Sequence, residues 1–391
     1  MSSNMQYKGN NFCTEPYRTV CIGTTGGVSP CCALSHKSFG LVTEDSANSI
    51  NDVYDSKYWK RFFKNNAAGN FDNDCLSRCD RQGITTFKQS WQIAENENWK
   101  HRNKTPVSAD IAFGNLCNLS CTMCSSVFSS EWIKIDKKEK GYSDNKPWNF
   151  SITQVKELAK YIKDVNRIVI KGGEPMYNPR FPLFLEELAK YKTEIDFTLI
   201  TNLSVVQNDA LEQIQKFKFG EQKPYIQASL ESCDDNYYKM IRGGKDTTFE
   251  TFAKNFKLIK ENYSEISLRV AYLINAWSMH RIKEDIELLQ DIGVEKIQMN
   301  TIFGPVEQSF TTQNYASRKK AKETLENIVN KYPKLIENHE IIHQFDIRDK
   351  STNKDKNIDK TKAHFNRRLL QGVTFNNTFE EIFEEYINNH V

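Results

Sequence analysis

Through the middle of the chain, short apolar runs alternate with longer amphipathic ones. The runs at 108–113, 167–171, 196–201, 225–230, 267–274 and 296–300 predict strands. Between them, apolar residues recur at helical spacing over 153–163, 181–191, 209–217, 249–262 and 282–289, which predicts helices. Alternation of this kind predicts βαβ units around a parallel sheet. Right-handed crossovers then place each helix on the outside. Six strands fall short of the eight that close a barrel. The expected fold is therefore α/β, a partial (β/α)6 TIM-type barrel over residues 105–304, with its chemistry at the C-terminal ends of the strands.

The flanks follow other patterns. Residues 1–104 are rich in Cys, Gly, Asn and aromatics, with no long helical pattern outside 50–66, and read as a small cysteine-rich domain and linker. Residues 305–391 read as a polar helical extension, with a helix over 317–331 and a solvated Lys/Asp/Asn loop over 349–362. Phe379, Ile382, Phe383 and Tyr386 fall at helical spacing and predict a core-facing stripe.

Composition narrows the classes. The 391 residues are 39% hydrophobic, enough for two or three domains with real cores. The formal net charge of +3 leaves no electrostatic footprint for nucleic acid. No apolar run approaches the roughly 18 residues that span a membrane. The first eleven residues lack the apolar stretch of a secretory signal, so no membrane partner and a cytoplasmic location are expected.

The ten cysteines change the picture most. Nine of them precede residue 125. In an unexported chain, clustered cysteines serve metals or catalysis more often than disulfides. Cys117, Cys121 and Cys124 form a C-x3-C-x2-C pattern just after the first predicted strand. Four thiolates complete an iron–sulfur cluster; three leave one iron open to a ligand, as catalytic metals require. On a helix the same spacing would form a buried face, but Gly114, Asn115, Asn118 and Ser120 favour a loop. A zinc site is the other alternative.

Further candidates sit at later strand ends. Gly172 and Gly173 allow close backbone approach, and Glu174 can accept a charge-assisted hydrogen bond. Asn202 ends the third predicted strand. Ser229 and Glu231, two apart at the end of the fourth, are placed on one face. Arg242 supplies a guanidinium fork between the fourth strand and fourth helix. Tyr272, Met299 and Asn300 are weaker candidates.

The cysteine loop after the first strand resembles that of the radical S-adenosylmethionine (SAM) superfamily. That resemblance implies a 4Fe–4S cluster held by Cys117, Cys121 and Cys124, with SAM on the open iron. It implies that Met123 packs near adenine and that Gly172, Gly173 and Glu174 receive the SAM amino group. Asn202 would be a further cofactor contact, Ser229 and Glu231 would serve the ribose hydroxyls, and Arg242 would pair with the SAM carboxylate. The implied chemistry is reductive cleavage of SAM to a 5′-deoxyadenosyl radical that abstracts hydrogen from a substrate.

Residues 11–83 resemble the SPASM/twitch auxiliary-cluster module of radical SAM maturases. Cys13, Cys31 or Cys32, Cys75 and Cys79 match its ligand positions, with 41–59 as the connecting segment. Here the module precedes the barrel, and its cysteines suffice for one cluster, expected to be 4Fe–4S. Cys31 fits the spacing from Gly26 better than Cys32, and structural zinc remains the alternative. Cys21 and Cys233 read as buried small hydrophobes.

The resemblance implies an oxidoreductase or maturase that oxidises or cross-links a peptide or protein side chain. It further implies a reductant such as flavodoxin or ferredoxin. A small-molecule substrate, a sugar or an aminocyclitol, is the second reading, and a non-catalytic zinc module the third.

Overall fold

The computed structural model describes residues 13, 15–34, 53, 55–68, 70, 106–244, 247–302, 304–346 and 354–389. Eight strands are present among them: β1 Thr19–Ile22, β2 Val28–Ser29, β3 Ser108–Ala112, β4 Arg167–Lys171, β5 Asp196–Thr201, β6 Tyr225–Leu230, β7 Ser267–Ile274 and β8 Ile297–Thr301. Their order is β2-β1-β3-β4-β5-β6-β7-β8, an open sheet consistent with a partial barrel. β2 pairs antiparallel with β1; β1 with β3, β3 with β4, β4 with β5, β6 with β7 and β7 with β8 are parallel.

The longer helices are α1 Lys57–Ala67, α2 Ser130–Lys140, α3 Ile152–Tyr161, α4 Phe181–Ala189, α5 Asn208–Ile214, α6 Asp235–Arg242, α7 Phe249–Asn262, α8 Ile282–Asp291, α9 Tyr315–Lys331 and α10 Lys354–Leu370. Local chemistry starts them. Ser151 and Gln154 form a capping box on α3, and the Asp234 carboxylate accepts from the N–H groups of Asn236 and Tyr237 to start α6.

Two differences from the sequence expectation have physical causes. β1 and β2 come from the cysteine-rich zone, where runs of four and two residues are too short for alternation to register. The loop expected over 349–362 is helical from Lys354 onward. Its stretch is polar, yet Asn357, Thr361, Phe365 and Arg368 face inward at helical spacing, and tertiary packing overrides composition.

The chain packs as two compact units. The first comprises Met1–Leu116, Asn145–Leu199 and Gln207–Pro224 within the described residues. Its core centres on Phe113, whose ring lies 5.1–5.6 Å from those of Phe150, Phe181 and Phe184. The second comprises Cys117–Asp144, Ile200–Val206 and Tyr225–Val391. Its aromatic core joins Tyr237, Met240 and Ile241 of α6 to Trp277, Phe365, Phe379, Phe383 and Tyr386. The stripe expected over 379–386 is therefore core.

Within β6, Ile226, Ala228 and Leu230 are buried, whereas Tyr225, Gln227 and Ser229 are half-exposed. One face of the strand is sealed and the other is half-exposed. β8 has its outer backbone bonded: Ile297 N–H donates to Leu335 O at 2.7 Å, and Glu337 N–H donates to Ile297 O at 2.9 Å. Met299 N–H donates to Asn338 Oδ1 at 2.8 Å, and Asn338 Nδ2 donates back to Met299 O.

Candidate functional site

Cys117, Cys121 and Cys124 lie in an irregular loop between β3 and α2, not on a helix. The loop is tied from several sides within the second unit. Cys117 N–H donates to Ser130 Oγ at 3.1 Å, and that hydroxyl donates to Cys117 O at 3.0 Å. Ser129 Oγ donates to Leu119 O at 2.6 Å, and Trp132 Nε1 donates to Cys121 O at 2.9 Å. From the other side, Ser120 N–H donates to Arg242 O and Thr122 N–H to Ile241 O, at the end of α6. Thr122 Oγ1 also donates to Gln308 Oε1 at 3.1 Å. The loop's polypeptide is thus fixed on its neighbours.

Cys117 and Cys121 are buried and Cys124 half-buried. Leu119 N–H donates to Cys117 Sγ at 3.4 Å, the type of bond that tunes cluster sulfur. A thiol hydrogen bond from Cys124 holds Cys121 below the usual cysteine range, and the same contact holds Cys124 above it. Among the described residues, no group of three or more His, Cys, Asp or Glu is set to hold a single metal ion. Met123 is half-buried and packs against both the cysteines and the aromatic core.

Glu231 and Arg242 meet. Arg242 Nε donates to Glu231 Oε2 at 2.6 Å, with both side chains 5% exposed. Glu231 lies one residue beyond β6, and its carboxylate is engaged in this pair, whereas Ser229 stays half-exposed on the strand. Burial raises the Glu231 carboxyl despite Arg242; burial also opposes the Arg242 charge, but Glu231, Cys121 and Tyr238 together outweigh it and raise Arg242. Arg242 Nη2 is buried without a hydrogen-bond partner among the described residues. An orphaned guanidinium donor is costly, and an anion arriving there would relieve it.

Asn202 Nδ2 donates to Asn118 Oδ1 at 3.3 Å, and Asn118 Nδ2 donates to Ser204 Oγ at 2.8 Å. Ser204 closes the network through its own bonds to Asn202 Oδ1. Asn202 thus braces the cysteine loop from the end of β5.

In the first unit, the glycines serve the fold directly. A Cβ on Gly173 would fall 2.2 Å from Leu116 O, and one on Gly172 (φ +136°) 2.7 Å from Gly114 O. Gly173 N–H donates to Gly114 O and Glu174 N–H to Leu116 O, so this turn grips the stretch leading into Cys117. Glu174 is buried, and its Oε1 accepts from Met176 N–H at 2.9 Å.

Cys21 is buried on β1, as expected, and burial, with Asp110 next, pushes its thiol well up. Lys171 pairs with Asp110 at 2.8 Å. Cys13 is half-buried; Cys75 and Cys79 lie outside the described residues. Cys233 is buried, as expected. Tyr272 and Met299 are core residues: Tyr272 is fully buried with its hydroxyl on Asp285 Oδ2 at 2.7 Å.

Sequence reading missed Ser129, Ser130 and Arg368. The serines carried a legible signal, an N-cap candidate followed by the first residue of a helix. Arg368 carried none, because its partners other than Gln371 lie over a hundred residues away.

No helix among the described residues is long and apolar enough to cross a membrane. No curated protein matches the chain. Solved structures similar to it include anSMEcpe with bound AdoMet and Kp18Cys peptide, at 15% identity over 59% of this chain and 63% of that chain, with a TM-score of 0.44. Streptococcus suis SuiB bound to S-adenosylmethionine is 15% identical over 68% of this chain and 52% of that chain, with a TM-score of 0.41. SuiB bound to precursor peptide SuiA is 13% identical over 77% and 67%, with a TM-score of 0.44. The chain thus spans less than two thirds of the length of anSMEcpe. Residues 111–289 match the model of the Radical SAM superfamily, a span that holds the three-thiol loop, the Gly-Gly-Glu turn and the Glu231–Arg242 pair. Over that span, just under half of its length, the chain is similar to the radical SAM superfamily.

Proposed function

We propose that this protein is a radical SAM oxidoreductase of the maturase type, acting on a peptide or protein side chain. The observation that carries the SAM-binding reading is the buried, partnerless Arg242 Nη2 in the same unit as three loop-held thiols. The donor set fits the implied groups: Cys117, Cys121 and Cys124 would hold a 4Fe–4S cluster with one open iron, and Arg242 would meet the SAM carboxylate. Glu231 fixes the guanidinium for that contact. When bound, cluster and SAM supply reductive cleavage and a hydrogen-abstracting radical. The chain's own residues then orient and seal: Met123 provides an apolar wall, and Asn202 with Asn118 keeps the loop on β5.

The finer reading rests on the resemblance of residues 11–83 to the SPASM/twitch module. Cys13, Cys31 or Cys32, Cys75 and Cys79 would hold an auxiliary cluster, with flavodoxin or ferredoxin as reductant and a cytoplasmic location. Residues 1–104, 105–304 and 305–391 are its proposed functional divisions.

Anaerobic purification tests the reading. The protein should carry about eight irons and form 5′-deoxyadenosine from SAM under reductant. Cys117→Ala, Cys121→Ala and Cys124→Ala should each abolish that product, and its persistence in any one would remove the mechanism. Cys75→Ala should lose about four irons yet keep SAM cleavage; unchanged iron would refute the auxiliary cluster.

A further inference from the structure

Arg368, near the end of α10, is 1% exposed. All five of its hydrogen bonds go to neutral oxygens. Nε donates to Met240 O at 3.0 Å, Nη1 to Ser120 Oγ at 2.8 Å and to Gln371 Oε1 at 2.9 Å. Nη2 donates to Ser120 O at 2.7 Å and Ile241 O at 3.4 Å. No carboxylate lies within ion-pair distance of it among the described residues. Arg242, also buried, differs because Glu231 already balances it.

A buried cation is expensive unless an anion repays it. Ser120 immediately precedes Cys121, and the field of Arg368 reaches that thiol. The slot for the guanidinium is also specific. A Cβ on Gly243 (φ +56°) would lie 2.1 Å from Arg368 Nη1, so the guanidinium sits where only a glycine leaves it room without a shift. Three thiolates around a 4Fe–4S core leave a net negative charge, which grows by one on reduction. A fixed cation behind the loop favours the more negative state.

Building on the cluster reading above, we propose that Arg368 is a positioning residue that supplies the cluster's counter-charge and raises its reduction potential. The C-terminal helix thereby sets how readily the first electron enters. Ser120 couples the two roles, because the guanidinium holds its hydroxyl and its carbonyl together.

The test is a redox titration of the reconstituted full-length protein, followed by electron paramagnetic resonance, with iron content measured in parallel. Arg368→Gln should keep the wild-type iron content and shift the midpoint to a more negative potential. Arg368→Lys, which keeps the charge, should return it toward wild type. A loaded Arg368→Gln variant with unchanged potential overturns the proposal. Should Arg368→Gln fail to load, Arg368→Lys decides: restored loading with near-wild-type potential supports the counter-charge, and failure of both variants assigns Arg368 to packing alone. Wild-type protein that takes up no iron would instead sink the cluster reading itself.

Discussion

At the scale of single residues, Asp285 makes a pH prediction. It is fully buried, accepts from Tyr272, and leaves Oδ1 without a hydrogen bond. Burial pushes its carboxyl from 3.8 up to about 6. Between those values the folded chain keeps a proton that the unfolded chain has released. Stability therefore falls as pH rises through that window. Relative to Asp285→Asn, the wild type should gain roughly 1 kcal/mol between pH 7.5 and pH 5, read by urea unfolding. A difference that does not change with pH would show the carboxyl to be ionised throughout. Residue types in the cysteine loop were legible because thiol spacing is local. The engagement of Glu231 by Arg242 was not, since the pair forms only when β6 and α6 are laid side by side.

At the scale of elements, α6 links cap to site. Asp234 starts the helix, and the carbonyls of Ile241 and Arg242 at its far end hold Thr122 and Ser120. Asp234→Ala should cost about 1 kcal/mol and loosen iron retention, whereas Asp234→Asn should keep both, judged by unfolding and iron assay. Equal iron retention in the two variants would separate the cap from the loop. Strand-length apolar runs made β4 through β7 readable end to end. The helix α2 escaped reading because its buried apolar residues, Trp132 and Ile133, sit side by side near its start and set no period; α6, at eight residues, was read only as the segment that carries Arg242.

At the scale of the whole molecule, the second unit's core is one aromatic layer shared by α6 and the C-terminal helices. Phe383 is fully buried, with ring centroids of Phe379 and Trp277 at 4.9 Å and 5.6 Å. Phe383→Ala should lose about 3–5 kcal/mol and lower iron retention, because the same layer backs Met123. Retained iron at reduced stability would detach the layer from the loop. The parallel sheet was legible in the alternation of patterns. The recruitment of β1 and β2 to it, and of α10 to the loop, depends on pairings across the sequence that no local window contains.

The dressing of β8 has a consequence for how substrates approach. An extended chain joins a sheet by borrowing free amides and carbonyls from its rim. Along Ile297–Met299 those groups are already taken, by Leu335, Glu337 and the amide of Asn338, which stands in for one more strand. Over that stretch the border has no free group to offer a polypeptide guest or a second copy of the chain, so it resists fibril-like stacking there.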